Sequence, residues 1–171
     1  MPMQQQRYST RPGASSGKVR GGPKQVQSAT AFTSDGEFLK QTAADNAFLT
    51  AVERRTKEHG VDGDVRHSAS TMLAEDLRLG DELRKLAGRK HVTLSDTRNE
   101  DDAATLSDMD GLRGSEAERF FIDKVMVRCQ LEIARFQTEA QQGNDPDIRK
   151  WASSQIAIFD RHVEMLHTLK H

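Results

Sequence analysis

The chain has 171 residues, of which 35% are apolar and 30% charged, with a net charge of −1. This length fits one folded domain with an appendage, since one hydrophobic core serves roughly 100–200 residues. No run approaches the roughly 18 apolar residues of a membrane span, and no secretory signal is visible near Met1, so the cytoplasm is the expected location.

Residues 1–33 form the first predicted segment, a tail rich in Gly, Ser, Gln and Pro. The tail has five basic residues and no acidic one, whereas the other 20 basic and 26 acidic residues give the rest of the chain a charge of −6. A +5 tail could contact nucleic acid, anionic lipid or the acidic surface of a neighbouring chain. Its charges are dispersed and lack aromatic partners, so a disordered, solubilising tail is favoured and nucleic-acid binding is not.

Helix signals follow the tail in chain order. Ser34-Asp-Gly-Glu37 and Ser115-Glu-Ala-Glu118 have the capping-box pattern, in which a hydroxyl and a carboxylate satisfy the free N–H groups of a first turn. Asp62 or Asp64 is suited to cap a second helix, and Asp145-Pro146 to start the last one. These signals predict four helices, near residues 35–59, 62–87, 115–142 and 146–169.

The connections between these helices predict the topology. Gly60 and Gly88 can take the left-handed conformation that ends many helices. The first and last connections are short, so they join antiparallel neighbours, whereas Arg89–Gly114 is a long acidic crossover with room for a short helix. The predicted fold is all-α, an antiparallel four-helix bundle over residues 34–171, made of two hairpins joined by this crossover.

Apolar residues recur at spacings of three and four along the predicted helices, so one face of each packs inward. Polar side chains interrupt these faces, with Asp76 in the second helix, Cys129 in the third, and Gln155 and His162 in the fourth. A buried, unpaired charge destabilises by several kcal/mol, so these groups are expected to pair or to hold a ligand. The residues predicted to be buried are Phe38, Leu49, Met72, Leu79, Leu83, Ile122, Ile133, Phe136, Trp151, Phe159 and Leu166.

The spacing of residues across three helices carries a family resemblance. The second helix reads Ala69-Ser-Thr-Met72-Leu-Ala-Glu75-Asp76, the third has Cys129 fifteen residues after Gly114, and the fourth has His162 ten residues after Ala152. This pattern resembles the bacterial domain-of-unknown-function 4142 family. The resemblance implies a ferritin-like fold without an established activity, and an exported or periplasmic location if a precursor segment is missing.

The resemblance also implies a candidate metal site. Of its four ligand-like positions, a glutamate and three histidines, only His162 is kept here. Zinc accepts Asp76, Cys129 and His162, with Glu53 or Glu75 as a weaker fourth ligand, so a zinc or iron site is one interpretation. The favoured interpretation is a degenerate site without a cofactor, closed by an Asp76–His162 pair beside a buried thiol.

The spacing of the acidic residues and histidines does not support a di-iron centre or a calcium loop. A di-iron centre needs Glu-x-x-His on two helices, and only Glu164-Met-Leu-His167 has that spacing, away from the inward face. Asp108-Met-Asp-Gly111 is similar to the start of a calcium loop, but the loop's first and last positions lack carboxylates. A buried cysteine is not an activated nucleophile.

The predicted function is therefore non-enzymatic. We expect a helical bundle with a structural role or with a protein partner, self-association included. Metal binding is the first alternative, and contact of the basic tail with nucleic acid or an anionic surface is the second.

Overall fold

A computed structural model of the chain describes residues 34–95 and 98–170. These residues form five helices and no strand, which confirms the all-helical prediction. The fifth helix lies in the crossover, where the sequence left room for a short helix. The predicted tail, residues 1–33, lies outside the described residues. The helices are α1 (Asp35–Glu58), α2 (Gly63–Arg89), α3 (Glu100–Asp110), α4 (Gly114–Gln142) and α5 (Pro146–Leu169).

Most helix ends follow from local sequence. The Ser34 hydroxyl accepts the Glu37 N–H at 3.2 Å, and the Asp62 carboxylate accepts the Asp64 N–H at 2.8 Å. Asp145 caps α5 in the same way, with proline at the first helical position. Gly60 has the predicted left-handed backbone, with φ +67°. Side-chain caps thus start three of the four long helices where the sequence predicts them.

Two predicted end signals are wrong. Ser115 does not cap α4, which begins one residue earlier without a side-chain cap. Glu118, the carboxylate of that predicted capping box, instead accepts the Asp62 N–H at 2.6 Å. Gly88 does not end α2, which continues to Arg89, and the left-handed residue is His91 with φ 56°. In the first case a contact between distant residues replaces the predicted local one.

The four long helices pack side by side. Helix α1 packs against α2 and α4, α5 packs against α4 and α2, and the short α3 packs against α1. The start of α1, the end of α2 and the α4–α5 turn meet at one end, where Asp35 accepts the Asp145 N–H at 2.7 Å and Lys90 contacts the Asp145 carboxylate at 2.8 Å. Neighbouring long helices are therefore antiparallel, and their inward side chains meet in layers.

An aromatic cluster forms the core near this end. The Phe136 ring centroid lies 5.0 Å from that of Phe38, 5.1 Å from that of Phe159 and 5.6 Å from that of Trp151. The two edge-to-face contacts, with Phe38 and Phe159, each add about 0.5–1.5 kcal/mol to the burial of the rings. Phe136 therefore joins three helices through one side chain.

Two of the residues predicted to be buried are only partly buried, namely Ile133 and Trp151. Trp151 reaches the surface, where its indole N–H donates to Glu82 at 3.1 Å. Ile133 lies one residue beyond the inward position that Glu132 occupies. The inward face of α4 is thus shifted from the predicted one and follows Ile122, Val125, Cys129, Glu132, Phe136 and Glu139.

Candidate functional site

Four polar side chains from the four long helices lie close together in the core. They are Glu53 of α1, Asp76 of α2, Cys129 of α4 and His162 of α5, and each is 0% exposed. The inward spacing of the helices carries each residue to this level. We call these four residues the buried polar layer. The predicted grouping of Asp76, Cys129 and His162 is thus present, and Glu53 belongs with them.

The Glu53 and Asp76 carboxyl groups lie within hydrogen-bonding reach of each other. Burial raises the pKa of Glu53 well above its usual 4.5, and the adjacent Asp76 raises it further. Burial also raises the pKa of Asp76, against the lowering effects of His162 and of the hydrogen bond from Glu53. Both raised pKa values favour a proton shared by this pair.

The predicted hydrogen bond between Asp76 and His162 is absent. His162 Nδ1 lies 4.0 Å from Asp76 Oδ1, whereas its Nε2 lies 2.8 Å from Glu75 Oε2. Glu75 also accepts from Arg161 at 2.8 Å. Consecutive helical residues point about 100° apart, so Asp76 faces Glu53 in the core while Glu75 faces α5 at the edge. Burial would raise the pKa of Glu75, but the hydrogen bonds from Arg161 and His162 lower it below 4.5.

The buried polar layer has more lone pairs than donors. Among the described residues, eight buried side-chain nitrogen and oxygen atoms lack a hydrogen-bond partner. Five of the eight are in this layer: both carboxylate oxygens of Glu53, both of Asp76, and His162 Nδ1. A buried group left unpaired is costly, so the layer needs a small positive species.

Cys129 is a neutral thiol in this setting. Burial raises its pKa well above 9.0, and the neighbouring carboxyls of Asp76 and Glu53 raise it further. Over the ranges that the structure describes, no three His, Cys, Asp or Glu side chains are gathered closely enough to hold a metal ion as they stand. A metal would require these side chains to move together and Glu53 to lose its proton.

Comparison with protein families identifies the family of this chain. The family model described as a domain of unknown function, DUF4142, matches residues 21–169. The chain belongs to this family. The match begins before the predicted domain boundary at Ser34 and includes all five helices. No curated protein and no solved structure matches. Among the helices that the structure describes, none is long and apolar enough to cross a membrane.

A second buried charge cluster in this DUF4142 chain was missed by the sequence reasoning. Arg128 and Arg135 of α4 both contact the Asp45 carboxylate of α1. Arg128 also binds Asp102 of α3 at 2.6 Å, and Arg135 binds Glu132 at 3.0 Å. The network ties α1, α3 and α4 together and explains why the crossover helix docks on α1. A signal was present, because Glu132 lies on the inward face three residues after Cys129.

The two clusters differ in how their charge is balanced. Two arginines form ion pairs with the Asp45 and Glu132 carboxyls. Within residues 34–95 and 98–170, no lysine or arginine forms an ion pair with Glu53 or Asp76. Burial, followed by the charge of Asp45, still raises the pKa of Glu132 well above 4.5. The second buried charge cluster is thus a structural ion network, and the buried polar layer is the candidate site.

Proposed function

We propose that this DUF4142 protein is a non-enzymatic, ferritin-like bundle of four long helices with a structural or partner-binding role. Its buried polar layer is a degenerate metal site that is closed by protons. The observation that supports this function is the complete burial of all four layer residues. A proton or a single ion fits such a layer, whereas a substrate does not.

The burial argues against catalysis in the layer. Enzyme sites are clefts that admit a substrate to a few polar groups. Here the thiol and both carboxyls are out of reach, and the raised pKa of Cys129 keeps it from acting as a thiolate nucleophile. The Glu53–Asp76 pair neutralises itself by sharing a proton, which needs no cofactor.

Metal binding is the second candidate, and the orientation of His162 favours it. Metal-binding histidines generally donate their other ring N–H to a carboxylate, and Glu75 is such a partner at 2.8 Å from Nε2. The ion would be held by Glu53, Asp76 and His162 Nδ1, with Cys129 as a further donor. Zinc and iron both accept this donor set. The ion would supply the positive charge that protons otherwise provide.

Metal analysis of the purified protein tests the two candidates. The protein is produced in medium supplied with zinc and iron, its metal content is measured, and its melting temperature is compared with and without a chelator. The first candidate predicts far less than one equivalent of metal and no effect of the chelator. About one equivalent, with a lower melting temperature after chelation, would establish the second candidate.

Two variants locate any metal that is found. Replacing both acids, Glu53→Leu with Asp76→Leu, removes the central ligands, and in a metal-free protein this change is expected to be neutral or stabilising, since apolar residues often replace a buried polar pair well. His167→Gln is the control, because it disrupts the exposed Glu164-Met-Leu-His167 pattern. Metal lost only from the control would identify adventitious surface binding and leave the first candidate standing.

A further inference from the structure

The start of α1 is held on the α4–α5 turn by one carboxylate. Asp35 Oδ1 accepts the backbone N–H of Asn144 at 2.9 Å, and Oδ2 accepts that of Asp145 at 2.7 Å. These residues are more than a hundred positions apart in sequence. Asp35 therefore joins the first turn of α1 to the hairpin formed by α4 and α5.

A second carboxyl group, that of Glu139, lies next to this contact. Glu139 of α4 is 4% exposed and lies within hydrogen-bonding reach of Asp35. Its Oε1 atom is buried and has no hydrogen-bond partner in the described chain. A Cβ atom at Gly143 would lie only 2.6 Å from this oxygen, so the backbone of the turn packs against the Glu139 carboxyl.

The charges around Glu139 do not neutralise it directly. Asp35 faces it from α1, and Asp145 and Arg149 face it from the start of α5. The Arg149 guanidinium donates to the carbonyl groups of Gly143 and Asn144, at 2.8 and 3.1 Å. Lys90, after α2, contacts the Asp145 carboxylate at 2.8 Å. A protonated Glu139 completes this arrangement, whereas an ionised one would oppose the Asp35 carboxylate.

We infer that Asp35 and Glu139 form a proton-dependent latch. Glu139 holds a proton and donates it in a hydrogen bond to Asp35, which keeps the start of α1 on the α4–α5 turn. When Glu139 loses the proton, two carboxylates face each other and the turn separates from α1 more often.

The titration range of the latch lies near neutral pH. Burial raises the pKa of Glu139 from 4.5 to about 7, and Asp35 adds to the effect through its hydrogen bond and its charge. With the latch open, the group returns towards 4.5. Because the closed form binds the proton more tightly, the latch is firmest at low pH and weakens as the pH rises from 4.5 through 7.

Amide hydrogen exchange at Asn144 and Asp145 tests the latch, since Asp35 accepts both N–H groups. After correction for the intrinsic pH dependence of exchange, linkage between values of 4.5 and 7 predicts that opening increases roughly 30-fold from pH 5.5 to pH 8.5. Most of this rise should occur below pH 7.5. The Arg66 N–H, bonded to the Asp62 carbonyl at the opposite end of the bundle, reports helix opening away from the latch and serves as the reference.

Two variants separate the latch from a general effect of pH. Glu139→Gln keeps a donor for Asp35 without a titratable group, so it should abolish the pH-dependent rise at both turn amides. Glu116→Gln changes an exposed acid on the same helix and should leave the rise intact. Wild-type turn amides that follow the Arg66 reference at every pH, or a rise that persists in Glu139→Gln, would overturn the latch.

Discussion

Replacing Glu53 with glutamine tests the proton held in the buried polar layer. Glutamine has nearly the same shape and can donate to Asp76, but it cannot be ionised. The wild-type pair must keep a proton or place two carboxylates side by side in the core. The glutamine of the variant has no titratable proton, so the stability of the variant should depend less on pH.

The size of the effect follows from proton linkage. Folded Glu53 has a pKa well above 4.5, so above that pH the folded chain keeps a proton that the unfolded chain releases. Stability from this group is complete below pH 4.5 and falls by about 1.4 kcal/mol per pH unit until the raised folded pKa is reached. Over the part of the range from pH 5.5 to 7.5 that lies below the folded pKa, the wild type should therefore lose about 1.4 kcal/mol per pH unit relative to Glu53→Gln.

Denaturant unfolding of both proteins at pH 5.5, 6.5 and 7.5 measures the difference. Glu58→Gln is the matched control, because it changes an exposed glutamate on the same helix and should follow the wild type. Equal pH slopes for the wild type and Glu53→Gln would refute the shared proton. A variant less stable than the wild type at pH 7.5, in a protein that contains metal, would instead indicate an ionised Glu53 ligand.

Four further predictions concern stability, each measured by denaturant unfolding or thermal melting. Asp45→Asn should destabilise by about 3 kcal/mol, since it leaves two partly buried arginines short of a charge partner, and a loss below 1 kcal/mol would contradict the ion network. Phe136→Ala should lower the free energy of unfolding by about 3–5 kcal/mol, with Phe136→Leu losing less, because the cavity is smaller. Cys129→Ala should lower it by about 1 kcal/mol and leave the fold intact. Deletion of Met1–Ala29 should leave the melting temperature nearly unchanged, since few apolar groups there could join the core.

The candidate site could be predicted in outline. Helical spacing placed Asp76, Cys129 and His162 on inward faces, and the structure brings them to one level with Glu53. The hydrogen-bond partners were predicted wrongly, because Glu75 and not Asp76 contacts His162. The choice between consecutive residues, which point about 100° apart, depends on the rotation of α2 about its own axis.

The charged residues on α4 show the same limit. Ile133 was predicted to be buried and Glu132 and Glu139 were not, since apolar residues are the usual guide to an inward face. The structure places the glutamates inside, where Arg135 and Asp35 provide partners from within α4 and from α1. A partner on another helix, as Asp35 is for Glu139, is not revealed by the pattern of one helix.

The sequence by itself determined where the helices run, which residue types line their inner faces and which family the chain resembles. Capping side chains, helix-ending glycines and 3.6-residue periodicity act over a few neighbouring residues, so they can be read locally. Only the tertiary structure decided which acid meets which partner, and that α3 docks on α1. These contacts depend on the rotation and offset of whole helices, which are set by the packing of all of them together.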